Sequence, residues 1–283
     1  MRFPNSIRIF PKHIPNDKNY LRNGFFANTA IVFGSKKIAL IDTPMLQSLT
    51  NSIFKRLNGR VPDYIINTHG HLDHHLTNCC FNSKTIIQSQ EMAACLKKQD
   101  DYIGYYCGLK EYKPVACELR KLSVMPAGIK VKRTLKVSLG DIHLDIQFIG
   151  AGETADNLVI FIPEHKILFA GDLIYHKVHP FIGDINKIPE WIAALKSLEK
   201  FKADIIVPGH GKPGCANAIA EQIQYLEYFS QQFSKLCDAG QSAETIKKKL
   251  ALGKFSGYKM RKTFLEFSID CLIAGYPQSN ATS

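Results

Sequence analysis

Four residues able to hold metal ions fall within six positions in His69-Gly-His71-Leu-Asp73-His74. On an extended segment, positions 69, 71 and 73 share one side. Two imidazoles and a carboxylate then converge, a donor set that suits zinc and related first-row cations. His74 follows Asp73 directly, points another way, and can serve a second cation. The alternative is a polar loop of histidines satisfied by their neighbours, and four ligand types in so short a stretch argue against it.

Such a loop needs a rigid edge to hang from. Tyr64–Ile66 is a short apolar strand running straight into Asn67, Thr68 and His69, so the cluster lies just past a strand end, where α/β sheets place their sites. Upstream, Thr29–Phe33 and Ile38–Ile41 are apolar, partly β-branched runs joined by a turn at 34–37, and Asp42 ends the second. Met45, Leu49, Ile53 and Leu57 recur at every fourth position ahead of Gly59, which predicts an amphipathic helix. Strands resume over 134–139, 142–149, 158–162 and 167–170. A helix is marked by Trp191, Leu195 and Leu198, and a last strand over 204–207 leads into Pro208-Gly209-His210-Gly211. Residues 88–125, with many Tyr and Lys, are expected to form an irregular helical insertion or lid. Residues 216–275 are expected to form a helical tail. Two strand-rich halves, each followed by helices, place the chain in the α/β class.

Taken in order, these motifs resemble the metallo-β-lactamase superfamily. The loop fits its HxHxDH signature. Gly150-Ala-Gly-Glu-Thr-Ala-Asp-Asn157 is similar to its GxGHTxDN stretch, Phe169-Ala-Gly-Asp172 to its FxGD stretch, and Pro208-Gly209-His210-Gly211 to its PGHG stretch. The run over 38–43 is similar to its early strand ending in Asp. The resemblance covers about residues 25–215. It implies a single domain over 1–283 folded as a four-layer αββα sandwich, with a helical insertion at about 88–125 and C-terminal helices at about 216–275. It also implies that His69 and His71 bind a first metal, that Asp73, His74 and His210 bind a second, and that Asp172 bridges both. Asp42 becomes a carboxylate that orients a ligand from behind. Without the resemblance, Asp172 reads as a turn residue, His210 as a loop imidazole and Asp42 as a strand-end cap.

One position departs from the pattern. Glu153 stands where the family usually carries a third histidine for the first metal. Glu153 either ligates as a harder, anionic donor, or leaves the first site half-filled, or marks a chain that binds metal with little turnover. The implied cofactor is two divalent metal ions, zinc first, with iron or manganese as the alternatives if Glu153 ligates through oxygen. Tyr175 sits three residues after Asp172, as does a tyrosine that polarises substrate in lactone-cleaving relatives, though packing alone also accounts for it. His176 and His179 lie just beyond and read more readily as packing or surface residues. Asp172 stands where the best-known zinc β-lactamase subclass has cysteine, which points away from β-lactams as primary substrates.

Two cations close together lower the pKa of a shared water and stabilise a developing oxyanion, with Asp73 placed to orient the nucleophile and move its proton. The expected function is hydrolysis of a thioester, lactone or related carboxylic ester, in the manner of glyoxalase II or the lactonases. A phosphodiesterase or nucleic-acid processing enzyme is the alternative class, and a metal-binding regulatory protein the third. A net charge of +11 attracts anions, but the basic residues are scattered apart from Lys130-Val-Lys132-Arg133 and Lys247-Lys248-Lys249, so nucleic acid is not the expected partner. A small-molecule substrate is. The eight cysteines include no CxxC pair. Reduced, mostly buried thiols and the lack of an apolar leader point to the cytoplasm. No apolar stretch is long enough to span a membrane. Tyr102, Tyr105, Tyr106 and Tyr112 either line a pocket or pack the insertion against the core.

Overall fold

The computed structural model describes residues 3–10, 16–96, 99–214 and 216–275. Its first sheet holds β1 (Ile7–Phe10), β2 (Thr29–Phe33), β3 (Ile38–Ile41), β4 (Tyr64–Ile66), β5 (Thr85–Ser89) and β6 (Ile129–Val131), in that spatial order. Pairing is antiparallel from β1 to β3 and parallel from β3 to β6. The second sheet holds β7 (Thr134–Ser138), β8 (His143–Gly150), β9 (Asn157–Ile162), β10 (Ile167–His176) and β11 (Ile205–Gly211), in sequential order across the sheet. Only its β10–β11 pair is parallel.

Side-chain alternation makes the layers. Along β3, Ala39 and Ile41 face the space between the sheets, while Ile38 and Leu40 face outward. Along β10, Ile167 and Phe169 face inward, while Leu168 and Ala170 face the opposite side. Strands buried on both faces therefore read as continuous apolar runs. Helix α1 (Asn51–Leu57) covers the outer face of the first sheet with Ile53 and Leu57. After β4 comes the short α2 (Leu72–His75). After β5 come α3 (Gln90–Cys95), α4 (Gln99–Gly108) and α5 (Ala116–Leu119). The outer face of the second sheet is covered by α6 (Ile188–Ser197), α7 (Asn217–Asp238), α8 (Ala243–Lys249) and α9 (Phe267–Gly275). On α7, Ile219, Gln222, Leu226, Phe229 and Phe233 repeat at helical spacing and are buried. Trp191 of α6 is buried and donates Nε1 to the Leu173 carbonyl at 3.0 Å. Burying a large apolar side chain contributes about 1.5–3 kcal/mol, so α6 is anchored directly behind the strand that carries Asp172. The result is the expected four-layer αββα sandwich.

Several boundaries differ from expectation. The helix predicted from Met45 begins only at Asn51, after a 3₁₀ turn at Gln47–Leu49. Met45 and Leu46 instead pack with Ile103, Val115 and Leu119 of the 88–125 segment. That segment opens inside β5, a core strand, before its helices begin. Strands β1 and β6, unanticipated, are four and three residues long. Strand β10 runs past residue 170 and carries Asp172 and Tyr175 within it, through two register shifts that kink it. Of the cysteines, Cys79, Cys80, Cys107, Cys117, Cys237 and Cys271 are free; Cys107 is buried, Cys117 is exposed and the others are half-buried, so the thiols are less buried than expected. The side chains of Cys95, Cys215 and Tyr102 lie outside the described residues. Among the described residues, no helix is long and apolar enough to cross a membrane.

Candidate metal centre

The loop after β4 is pinned from beneath by polar groups. Asn67 Nδ2 donates to the His74 carbonyl at 2.8 Å, and Asn78 Nδ2 and Gln88 Nε2 donate to Asn67 Oδ1 at 2.8 and 3.0 Å. The Thr68 carbonyl accepts from Leu158 N of β9 at 2.7 Å, which ties the loop to the second sheet. Asp42 sits at the end of β3 with φ of 53°, a left-handed conformation that Asp tolerates better than most residues. There its carboxylate accepts from Thr68 N at 2.7 Å, Thr68 Oγ1 at 2.8 Å and His74 Nδ1 at 2.9 Å. His74 Nε2 is thereby turned the other way. On β11, His210 Nδ1 donates to the Phe25 carbonyl at 3.1 Å, again leaving Nε2 to face inward. His69 Nδ1 lies 3.1 Å from Thr68 Oγ1.

These constraints bring together the seven predicted ligand residues in two groups. His69, His71, Glu153 and Asp172 offer ligand atoms within 4.8 Å of one another, and so do Asp73, His74 and His210. Asp172 lies between them. Its Oδ2 is 3.7 Å from His69 Nε2 and 3.2 Å from His210 Nε2, and its Oδ1 is 3.3 Å from His74 Nε2. Asp73 Oδ2 is 3.4 Å from His210 Nε2 and 3.7 Å from His74 Nε2. Glu153 Oε2 is 3.3 Å from His71 Nδ1. The close approach of β10 and β11 depends on Gly209, where a Cβ would overlap the Asp172 carboxylate.

The donor atoms at the centre are buried and unpartnered: His69 Nε2, His74 Nε2, Asp172 Oδ1 and both Glu153 oxygens have no hydrogen bond. Buried polar atoms are nearly always satisfied, and leaving one bare costs about 1–3 kcal/mol. The charges are equally unbalanced. Burial, then the charges of Asp172, Asp156 and Asp73, push the Glu153 carboxyl well above its usual range. Burial also works against the Asp172 carboxylate, yet the imidazoles of His210, His74 and His69 outweigh it and hold its pKa well below the usual range. Burial opposes a charge on His74, but Asp172, Asp73 and Asp42 raise its pKa well above normal. His69 is pushed well below normal by burial and then by His74. A pair of divalent cations would satisfy these atoms and charges together, so the residues fit the metals that the motif implies.

Around this centre stand further residues, of which the sequence pointed to Tyr175 but not to Asn28, Phe181, Phe264 or Phe267. Tyr175 is buried with its hydroxyl 2.5 Å from Asp172 Oδ2, and its ring stacks on His210. Phe181 meets His71 edge-on at 6.4 Å and stacks on Phe267 at 5.5 Å, while Phe264 meets His210 at 5.1 Å. Asn28 Nδ2 donates to the Pro208 and Gly211 carbonyls at 2.9 and 2.8 Å, clamping the turn that carries His210. Tyr112 packs against Tyr106 and Phe25, tying the 88–125 segment to Phe25, whereas Tyr105 is exposed. His176 and His179 are elsewhere: His176 Nδ1 pairs with the Lys212 carbonyl and His179 Nδ1 with the Tyr225 hydroxyl, both at 2.7 Å.

The family described as the metallo-beta-lactamase superfamily matches residues 22–78 and 93–210. A metallo-beta-lactamase type 2 of Bacteroides fragilis is 26% identical over 220 residues, covering 74% of this chain and 78% of that protein. Among solved structures, a metallo-beta-lactamase family protein from Thermus thermophilus superposes with a TM-score of 0.66 at 17% identity, covering 93% of this chain and 92% of that one. A stereoselective inverting sec-alkylsulfatase from Pseudomonas sp. superposes with a TM-score of 0.64 at 15% identity, covering 90% of this chain and 48% of that one. At these identities the structural likenesses show the fold.

Proposed function

The chain belongs to the metallo-beta-lactamase superfamily of metal-dependent hydrolases, and from that premise we propose that it is a two-metal hydrolase of carboxylic esters, thioesters or lactones. The observation that carries this reading is the position of Asp172 between two groups of ligand atoms, with His69 Nε2, His74 Nε2 and both Glu153 oxygens buried and without a hydrogen bond. His69, His71 and Glu153 would hold one metal, Asp73, His74 and His210 the other, and Asp172 both. When bound, such a pair supplies an acidified water and positive charge for the oxyanion that forms as a carbonyl is attacked.

The chain's own residues do the rest. Asp73 orients the attacking water and takes up its proton. Asp42 fixes His74 and the Thr68–His69 backbone. Tyr175 has its hydroxyl engaged by Asp172, so it holds that carboxylate in place. Phe181 and Phe267 form an apolar wall beside His71, suited to the acyl side of an ester. Glu153 bears on substrate choice through charge. Two divalent cations bring four positive charges against the three carboxylates of Glu153, Asp172 and Asp73, one negative charge more than a third histidine would leave. That weakens attraction for sulfate and phosphodiester anions and favours a neutral carbonyl substrate.

The test is turnover of acyl-homoserine lactones, S-lactoylglutathione and p-nitrophenyl acyl esters against p-nitrophenyl sulfate and bis-p-nitrophenyl phosphate, with protein loaded with zinc, manganese or iron. The carbonyl substrates are expected to give the highest kcat/KM. Preference for the sulfate or phosphodiester, or no turnover with any metal, overturns the proposal. The likeness to the Bacteroides fragilis enzyme makes a chromogenic cephalosporin the necessary comparison. If it is cleaved faster than every ester and lactone, the β-lactam reading replaces this one.

A further inference from the structure

Strands β3, β4 and β5 run parallel, and Asp42 and the His69–His74 loop follow the C-terminal ends of β3 and β4. The N-terminal ends of the same strands carry a different chemistry. Lys37 precedes β3, Val61 and Asp63 precede β4, and Lys84 precedes β5. Phe33 ends the antiparallel β2 there, and α1 brings Lys55, Arg56 and, just past its last turn, Arg60. Local contacts join these residues into a ring. The Arg56 and Arg60 guanidiniums lie over the Phe33 ring at 5.8 and 4.5 Å. The 34–37 turn leads from Phe33 to Lys37, whose Nζ donates to the Tyr64 hydroxyl at 2.6 Å. Asp63, next to Tyr64, accepts from Lys84 at 2.8 Å. Lys84 lies three residues after Phe81, on which Phe54 of α1 packs at 4.8 Å. Val61 lies on the connection between α1 and β4, both of which contribute to the ring.

Lys36, Lys37, Lys55, Arg56, Arg60 and Lys84 are all exposed. Among the described residues, Lys36, Lys55, Arg56 and Arg60 form no ion pair. Two carboxylates touch the ring, and both are engaged: Asp63 by Lys84 and the Ile38 amide, Asp141 by the Ser35 amide. Phe54 and Val61 are 40% and 45% exposed, unusual for large apolar side chains. The cations come from separate stretches of sequence, so no dense basic run signals them. Their partner must be anionic where the cations lie and apolar where Phe54 and Val61 meet it. A nucleic-acid strand offers phosphates in a line and gives Val61 nothing to stack on. A bilayer bearing anionic headgroups has both properties, with acyl chains just beneath the charge. We propose that the end of the sandwich opposite the metal centre docks on an anionic lipid surface, through these cations and the apolar pair Phe54 and Val61. Docking there is peripheral and turns the metal centre toward the aqueous side, open to a soluble substrate.

The test is co-sedimentation of the full chain with vesicles of phosphatidylcholine, with and without phosphatidylserine. Wild type is expected to bind only the vesicles containing phosphatidylserine, and to be released as salt rises from about 0.1 to 1 M, where the screening length falls from about 10 to 3 Å. Lys36→Gln combined with Lys55→Gln removes two exposed, unpaired charges and should lower partition by about 25-fold, or about fivefold for each charge. Val61→Ser should lower it by about fourfold, the worth of one buried methylene, without altering its dependence on salt. Lys248→Gln combined with Lys249→Gln changes net charge equally, on a helix that covers the second sheet, and should leave partition at the wild-type value. An equal loss in that control pair would reduce the effect to net charge and overturn the proposal, as would a failure of wild type to prefer phosphatidylserine. Labelled single-stranded RNA is the second probe. If RNA is bound, vesicles are not, and the Lys36 and Lys55 changes abolish RNA binding, the face serves nucleic acid and the lipid assignment falls.

Discussion

The phenol of Tyr175 donates to Asp172 Oδ2 at 2.5 Å. The same ring lies flat against His210, with centroids 5.1 Å apart and planes 12° from parallel. The two contacts follow from register: Tyr175 on β10 is paired with His210 on the parallel strand β11. Tyr175→Phe keeps the stacking and removes the donor, freeing the carboxylate to rotate. Partners of this kind are worth about 10–100-fold in metal affinity. Competition against a chromophoric chelator should show a loss of that size, with the melting temperature little changed. If metal affinity holds and kcat alone falls, Tyr175 acts on substrate instead.

Asp42 makes a comparable arrangement on the other side of the loop. Its carboxylate accepts three hydrogen bonds, two from Thr68 and one from His74 Nδ1, and it is almost wholly buried. Asp42→Asn replaces one acceptor oxygen with an amide that faces donors. The expected result is a loss of metal affinity of about 10–100-fold, together with a stability loss of about 1–3 kcal/mol from the mispaired buried groups. Urea denaturation of the metal-free variant isolates the second effect. A metal-free protein as stable as wild type would show that Asp42 acts only when metal is bound.

Gly209 lets strand β11 approach Asp172. A Cβ there would overlap Asp172 Oδ1 and sit 2.8 Å from the Gly171 carbonyl carbon. Backbone cannot yield as a flexible side chain can, so Gly209→Ala should cost about 1–3 kcal/mol or more through overpacking and displace Asp172 from both groups of donors. Metal stoichiometry by elemental analysis is the measurement, and two equivalents retained at wild-type affinity would refute the prediction.

What the sequence disclosed depended on how local each feature was. The loop from His69 to His74 is contiguous, so its chemistry was legible directly. Asp172, His210 and Glu153 are separated from it by about 80–140 residues, and only the order of family motifs joined them to it. The backbone carbonyl of Phe25 has no side-chain signature, so its grip on His210 could not be anticipated. Phe181, Phe264 and Phe267 converge only through packing of the C-terminal helices. The helix expected from Met45 shows the opposite error: fourfold spacing continued by chance through residues that face two different cores. Strand β6 was missed because three residues, one of them Lys130, carry no usable period.

His179 predicts an acid sensitivity unconnected with metal. It is fully buried, with Nδ1 2.7 Å from the Tyr225 hydroxyl and the rings of Tyr225 and Tyr258 around it. Burial, then the nearby Arg261 charge, bring its pKa down to about 4 from 6.5, against a smaller opposing pull from Asp17. The fold thus holds the neutral ring. The stability it contributes is complete above pH 6.5 and is lost as pH falls through about 4. Between neutral pH and pH 4, wild type should lose on the order of 3 kcal/mol more than His179→Gln, which keeps a partner for Tyr225 without titrating. Urea denaturation at both pH values gives the difference, and parallel losses would refute it.

If the substrates are the esters proposed above, Phe267 sets how acyl-chain length is read. It is 54% exposed, unusual for so large an apolar side chain, and it stacks on Phe181, which meets His71. An exposed aromatic face beside a reactive centre gains by covering apolar substrate. Each methylene buried is worth about 0.8 kcal/mol, or roughly fourfold in affinity. Phe267→Ala should therefore raise KM for an octanoyl ester by about tenfold or more, leave KM for an acetyl ester near wild type, and leave kcat unchanged for both. Such a pattern is the mark of binding energy expressed equally in ground and transition states. Steady-state kinetics across acetyl, butyryl, hexanoyl and octanoyl esters would show wild type and variant diverging with each added pair of carbons. A constant ratio along the series would mean that Phe267 supports the wall without touching the chain.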